Sequence, residues 1–284
     1  YNLHSVVTHE AVKRIEYIRQ LFQQTQEVCA NGSPKQWIQQ ADPLFISICY
    51  EAWSMHIALA DIAARGDFAE WKTWSAEHTA HDVQIHVGLG WALAQHELWL
   101  EEFVMQLPPL LRYRVADGYG YYEGVFRKRK SVLSQLRPQW TDGIALGAYN
   151  QGLGRSLWYG CLANADAVVT AVEKFNESRR ADLWRGVGIA VAYVGGCNTD
   201  VVHHLKDLSG DYVSAFSAGA LMALKSRQDS GAFANDTLSV CTEIWRLDEE
   251  RLRATYMHTL EQANKSHNAY EQWIKFLEGS YAAR

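Results

Sequence analysis

Small residues recur in this chain as pairs two positions apart, and the distance from one pair to the next constrains the fold more than any other feature. The second member of each pair is Ser54 (AWSMHIALA), Gly90 (GLGWALA), Gly120 (GYGYYEG), Gly154 (GLGRSLW), Gly188 (GVGIAVA) and Gly219 (SAGALMA). These six reference positions are separated by 36, 30, 34, 34 and 31 residues. About 34 residues is the length of a helix-turn-helix repeat. Residues two apart in a helix point about 200° apart, so small residues at both positions admit a neighbouring helix on either side. Four residues further on the side chain is small again at Ala58, Ala94, Gly124, Ala192 and Ala223, with Trp158 the exception. That spacing makes a seam one turn long along which helices approach closely. The glycines do not read as a nucleotide-binding turn, because no β-branched strand precedes them and the third glycine and downstream acid of that fingerprint are missing.

The pattern predicts an all-α fold of helical-hairpin repeats with a period near 34 residues, stacked as an α-solenoid or α/α superhelix. Only five prolines interrupt the amphipathic patterning, and 48% hydrophobic with 21% charged residues places the chain among packed globular proteins. One domain is expected over residues 1–284, with capping helices in 1–43, repeats in 44–235 and two long C-terminal helical patterns in 236–284. The first helical stripe runs from residue 5 to residue 30 through Val7, Ala11, Ile15, Ile18, Leu21 and Phe22; the first repeat spans Leu44 to Arg65.

A net charge of −5 gives no reason to expect nucleic acid as a partner. Five scattered cysteines without a CxxC read as small core residues in a reducing compartment. No secretory signal is visible, and the longest apolar run, Gly186 to Gly196, is too short to span a bilayer, so a cytoplasmic location is expected.

Polar residues stand just upstream of each reference position: Glu51, His86, Asp117, Asn150 with Gln151, and Arg185. In a stack of repeats equivalent positions form a row, so these side chains are candidates for one lined wall. Asp117 and Asn150 also suit helix N-caps, whereas His86 and Arg185 do not. Aromatic residues crowd the same region, Trp53 and Tyr159 among them, with Tyr50, Trp91, Tyr119, Tyr121, Tyr122, Trp158, Trp184 and Tyr193 the candidate ligand-binding side chains beside Asn150 and Arg155. Asp117, Glu123, His86 and Arg185 are the candidate acid-base groups, since a buried acid among aromatic faces has the means to protonate an alkene and stabilise a cation. His78, His81 and His86 with Asp82 lack the paired Glu-x-x-His helices of di-iron bundles, and the adjacent His203 and His204 point to different faces.

A separate string, Asn235-Asp236-Thr237-Leu238-Ser239-Val240-Cys241-Thr242-Glu243, resembles the second magnesium motif of class I terpene cyclases. Its spacing puts Asn235, Ser239 and Glu243 on one helical face, as three ligands to one Mg²⁺ require. The aspartate-rich partner motif is missing, and the nearest acidic cluster is Glu97, Glu101 and Glu102.

The blocks YEAWSMHIALAD (50–61), HVGLGWALAQ (86–95), PPLLRYRVADGYGYYEGVF (108–126), NQGLGRSLWYG (150–160) and DLWRGVGIAVAYVGG (182–196) are similar, in that order, to a bacterial family of unknown function. It is represented by the UnbL-like conserved proteins of enediyne-type polyketide gene cassettes. The resemblance covers roughly residues 44–230 and implies a role in specialised-metabolite biosynthesis. It carries over no catalytic residue.

Three readings follow. The first is a helical-repeat protein that binds, and cyclises or rearranges, a lipophilic polyene or isoprenoid intermediate. The second is a Mg²⁺-dependent cyclase of a prenyl diphosphate. The third is a non-catalytic scaffold for other biosynthetic proteins.

Overall fold

The computed structural model describes residues 9–64, 66–232 and 234–284. It is all-α: fifteen α-helices joined by short 3₁₀ and π turns, with no strand among the described residues. Val7 and Arg65, which sequence patterning placed in the first helical stripe and the first repeat, lie outside them.

The helices are α1 (His9–Asn31), α2 (Lys35–Gln40), α3 (Ile46–Ala64), α4 (Ala69–Ala76), α5 (Asp82–Gln95), α6 (Glu101–Gln106), α7 (Arg112–Phe126) and α8 (Gly143–Gly160). There follow α9 (Ala165–Glu173), α10 (Glu177–Val194), α11 (Thr199–Leu208), α12 (Val213–Asp229), α13 (Asn235–Trp245), α14 (Glu249–Ala263) and α15 (Ala269–Ala282). Side-chain oxygens cap several starts: Asp142 accepts from the Gly143 amide at 2.7 Å, Asn164 from Ala167 at 2.9 Å and Asn198 from Val201 at 3.0 Å.

The six small-residue pairs fall on α3, α5, α7, α8, α10 and α12, and each of these helices packs on the next in that order. They run parallel. Ser47 at the start of α3 meets His81 just before α5 at 2.9 Å, and Arg127 just past the end of α7 donates to the carbonyl of Ala94 near the end of α5 at 2.9 Å.

At each junction two small residues face two carbonyls reciprocally. A Cβ on Gly90 would overlap the Val115 carbonyl, and one on Gly118 the Val87 carbonyl. The same exchange joins Gly120 to Tyr149 and Gly152 to Asp117, then Gly154 to Leu183 and Gly186 to Gln151, then Gly188 to Phe216 and Gly219 to Arg185. At the first junction Gly88 faces the Glu51 carbonyl, while Ser54, which takes the glycine's place, donates its hydroxyl to the Ile85 carbonyl at 2.5 Å. With hydrogen in place of a side chain, backbones approach until Cα–H meets C=O, contacts worth about 0.5–1 kcal/mol each.

The outer connections are less regular than a hairpin repeat predicts. α4 and α6 are short, and α7 joins α8 through a π turn (Arg129–Leu133) and an extended segment with no intervening α-helix. Regularity therefore resides in the inner helices, whose contacts fix their own register, while the outer segments only need to span back.

The row of inner helices curls round and closes. Ser226 and Gln84 are hydrogen-bonded at 3.2 Å between α12 and α5, and Arg227 of α12 donates to the carbonyls of Leu44 and Tyr193. The C-terminal end of the last inner helix thus meets the N-terminal ends of the first two, an axial step within the ring. α1 crosses the ring obliquely: Arg14 donates to Val194 O at 3.3 Å and Arg19 to Tyr159 O at 2.8 Å at the C-terminal ends of α10 and α8, and Gln26 to Ala52 O at 2.5 Å in the second turn of α3.

The C-terminal region holds three helices where two were expected. Arg246 in the left-handed region (φ 53°) ends α13, and Asp248, accepting from the Arg251 amide at 2.9 Å, starts α14. α13 and α15 pack against α12. One helical stretch, Pro43–Ala64, is long and apolar enough to cross a membrane, and 61% of it is buried within the protein as an inner helix.

Gly154→Ala should destabilise the protein by about 1–3 kcal/mol in urea unfolding, because overpacking outweighs the gain in helix propensity. Gly279→Ala, at an exposed position of α15 with nothing within 4 Å of the new methyl, should instead stabilise by up to about 1 kcal/mol. A neutral Gly154→Ala would show that the backbones are not in contact there.

Candidate functional site

The closed ring leaves a central cavity of about 520 Å³. Its lining follows from helical phase. Counting from each reference glycine or serine, the side chains six and three before and one and five after fall on one face of a helix; most of the lining comes from these positions, while Asp117, Gln151 and Arg185, each three before, stand just behind it. They supply Ile48 and Glu51 from α3, Gln84, Val87 and Trp91 from α5, and Arg114, Tyr121 and Val125 from α7. From α8 come Arg155 and Tyr159, and from α10 Ile189 and Tyr193. On α12 Gly219 takes the contact position that Gly118, Gly152 and Gly186 take on their helices, two before the reference, so the inward residues Met222, Ala223 and Ser226 fall further along the helix. α1 closes the top with Ile18, Arg19, Phe22, Gln23 and Gln26. Exposed Arg19 and Gln23 on α1, with Val125 and Phe126 (61% exposed) at the end of α7, form the mouth.

Most of the wall is apolar and aromatic. Trp91 packs on Phe22 at 4.6 Å between ring centroids and on Tyr121 at 5.1 Å; Tyr121 meets Tyr159 edge-on at 5.5 Å. Burial raises the pKa of the Tyr121, Tyr159 and Tyr193 phenols, which stay neutral donors.

Two ionisable side chains of this wall, Arg155 and Glu51, have opposite degrees of support. Arg155 is ion-paired with Asp117 and lies over the Tyr121 ring at 4.8 Å. Burial works against its charge, yet Asp117 and Glu51 outweigh that and raise its pKa. Behind it a polar chain runs through equivalent positions of three helices: Gln151 donates to Asp117, Arg185 Nε donates to Gln151 Oε1 at 2.8 Å, and Arg185 binds Asp182 at 2.5 Å and Glu278 of α15 at 3.1 Å. Asn150 joins this chain, donating to Asp182 at 3.3 Å and accepting from Arg179 at 2.8 Å.

Glu51 has no such support. It is 3% exposed, faces the cavity and makes no side-chain hydrogen bond among the described residues. Burial pushes its carboxyl up to about 7, against the pull of Arg155 and with a further push from Asp117. A carboxyl held near neutral pH in an aromatic cavity is equipped to give and take protons.

Among the residues singled out from the sequence, Trp91, Tyr121, Arg155 and Tyr193 meet in this cavity. Asp117, Asn150 and Arg185 lie behind the wall in the polar chain, in helix interiors and not at N-caps, because their helices begin at Arg112, Gly143 and Glu177. His86 faces outward against Trp71, edge-on at 5.3 Å; its Nδ1 meets the Asp82 carbonyl oxygen at 2.8 Å, and burial lowers its pKa to about 4. Glu123 is fully buried and bound to Arg127 at 2.6 Å, away from the cavity. Tyr50 stacks on His81 at 3.8 Å outside the ring, and Tyr119 packs between layers against Trp140 at 5.0 Å. Tyr122 sits behind the mouth against Phe126, while Trp158 and Trp184 are core.

Asn235 and Ser239 are exposed on α13, and Glu243 meets His203 at 3.0 Å and Arg246 at 3.2 Å. The three do not converge on the cavity, and a cationic neighbour already occupies the one carboxylate, so this face does not fit a diphosphate-bound Mg²⁺. The described residues hold no cluster of three His, Cys, Asp or Glu side chains suited to a metal.

Gln84, Arg114 and Ser226 are polar cavity residues that residue type did not point to, whereas Glu51 stood in the polar row expected to line a wall, without a catalytic role. The available signal was helical phase relative to the small-residue pairs.

The chain belongs to a family described as proteins of unknown function, DUF1702, whose model matches residues 5–279. No curated protein matches it, and no solved structure does.

Between about pH 4.5 and 7, folded protein holds a proton on Glu51 that the unfolded chain has released, so this residue's contribution to stability falls as pH rises through that window. Glu51→Gln removes the dependence. The variant should gain on wild type from about pH 5 to about pH 8, by at most about 3 kcal/mol in urea unfolding. Neutral-buried His81 and His86 act with the opposite sign in both proteins and cancel in the difference. A difference that stays flat with pH would remove the raised carboxyl.

Proposed function

We propose that this DUF1702 protein binds a lipophilic, unsaturated intermediate of specialised-metabolite biosynthesis, of the enediyne-type polyketide kind, inside the helical ring, and isomerises or cyclises it in the cytoplasm. The observation that carries the reading is the cavity itself: about 520 Å³, walled by Phe22, Trp91, Tyr121, Tyr159 and Tyr193, with one unbonded buried carboxyl facing into it. Cavities of this size and lining hold small molecules of mainly apolar surface. The aromatic faces suit a conjugated chain, and their ring quadrupoles stabilise positive charge developing on it.

Glu51 supplies the chemistry. Its acid form gives a proton to one carbon of the bound chain; the carboxylate so formed takes a proton from another carbon, moving a double bond or closing a ring. The sequence is redox-neutral and returns Glu51 to its starting state. Arg155, held by Asp117, which Gln151 in turn holds, stabilises the carboxylate stage of Glu51 by its charge. α1 and the closed ring keep water from the intermediate cation.

Diphenylhexatriene, an apolar polyene without a head group, should bind with micromolar or better affinity and quench tryptophan fluorescence. Ala223→Phe, which projects a ring into the cavity, should weaken binding at least tenfold while leaving circular dichroism unchanged; Glu51→Gln should leave it intact. Failure of the wild-type protein to bind, or equal binding by Ala223→Phe, would overturn the reading.

A further inference from the structure

Arg114 is a buried cation with no counter-ion among the described residues. It is 5% exposed, lines the cavity and makes no side-chain hydrogen bond or ion pair among the described residues; its Nε is buried without a partner. Its neighbour is the ring of Tyr270 at 5.3 Å, which attracts a cation but accepts no hydrogen bond in place of a carboxylate. The other buried cation of the cavity, Arg155, has Asp117, and the polar chain beyond it is balanced through Asp182 and Glu278. Arg114 also borders a smaller cavity of about 260 Å³ that contains Asp82 and Asp229. Asp229 is paired with Lys225, and neither carboxylate comes within ion-pair distance of Arg114.

Buried charges are normally paired, since removal from water is costly and a lone guanidinium keeps donors unsatisfied. Position adds to this. Arg114 lies twelve residues before Phe126 on α7, about 18 Å along the helix axis from the mouth. It stands at the end of the cavity away from the mouth, beside Gln84 and Ser226, which also border the smaller cavity. A single unpaired guanidinium there matches a monoanion, whereas a diphosphate needs several cations.

We infer that Arg114 binds the carboxylate of an elongated lipophilic acid whose unsaturated chain runs from Arg114 past Glu51 and Tyr121 towards Phe126. The inference rests on the cavity reading and names its substrate class. The ligand enters acid-first, so the chain alongside Glu51 is fixed in register by the salt bridge at its end.

Parinaric acid, a conjugated tetraene fatty acid, and its methyl ester are the probes, titrated by polyene fluorescence beside diphenylhexatriene. Wild-type protein should bind the acid at least tenfold tighter than the ester. Arg114→Gln should abolish that preference without changing diphenylhexatriene affinity, and Arg114→Lys should keep part of it. Equal binding of acid and ester by wild-type protein, a test that needs no variant, would overturn the inference and leave the cavity reading standing. So would an undiminished preference in Arg114→Gln. Binding of none of the three probes would overturn the cavity reading and this inference with it.

Discussion

Backbone against backbone is the constraint on which this structure rests. Successive inner helices meet through reciprocal contacts of a small residue with a carbonyl, as at Gly120 with Tyr149 and Gly152 with Asp117. Such contact fixes both separation and register, because a carbonyl can be met in only one place along the neighbour. Glycine lowers helix propensity by about 1 kcal/mol per residue, so these helices depend on their neighbours for stability. In return, every inner helix presents its remaining faces at a defined rotation: outward to the short connecting helices, inward to the cavity.

Register then creates the chemistry. With the glycine pairs in contact, Asp117, Gln151 and Arg185 arrive at equivalent heights on adjacent helices and bond to one another. None would be tolerable alone in a packed interior. Together they hold Arg155 rigidly and leave Glu51, at the same height on α3, as the member whose neighbour on α5 is Val87, an apolar residue with nothing to bond. A carboxyl poised near neutrality is therefore a gap in an otherwise complete polar row.

Much of the architecture was legible in the sequence because small-residue pairs have no alternative explanation in a chain with so few turn signals. Class, inner helices and their order all follow from positions 54 to 219. The site was only partly legible. Residue type drew attention to Glu123, His86, Tyr119 and Trp158, which prove to be outward or interlayer side chains; a buried aromatic or charge looks alike in a sequence whether it faces a cavity or a second helix layer. Helical phase relative to the glycines excludes His86, Glu123, Tyr119 and Trp158 and would have added Arg114 to the wall that Glu51 was already expected to line. Ring closure was not legible at all, since Arg227 reaches Leu44 across a sequence separation no local pattern encodes. Nor was the weakness of the α13 motif, for spacing sets Asn235, Ser239 and Glu243 on one face without saying that this face looks outward.

That closure has a consequence for how the molecule comes into being. Arg227 joins the last inner helix to the turn that leads into the first across 183 residues, donating to the Leu44 carbonyl and, through its second amino group, to Tyr193. Contacts between neighbouring helices form early and cheaply, but the loop through Arg227 closes only after nearly the whole polypeptide is present, and loop closure of that length slows folding. During synthesis the glycine-rich helices therefore accumulate as an open arc with its aromatic lining uncovered. The enclosed chamber is the last thing to be made, and a chain arrested before its twelfth helix is a sticky intermediate and not a smaller version of the protein.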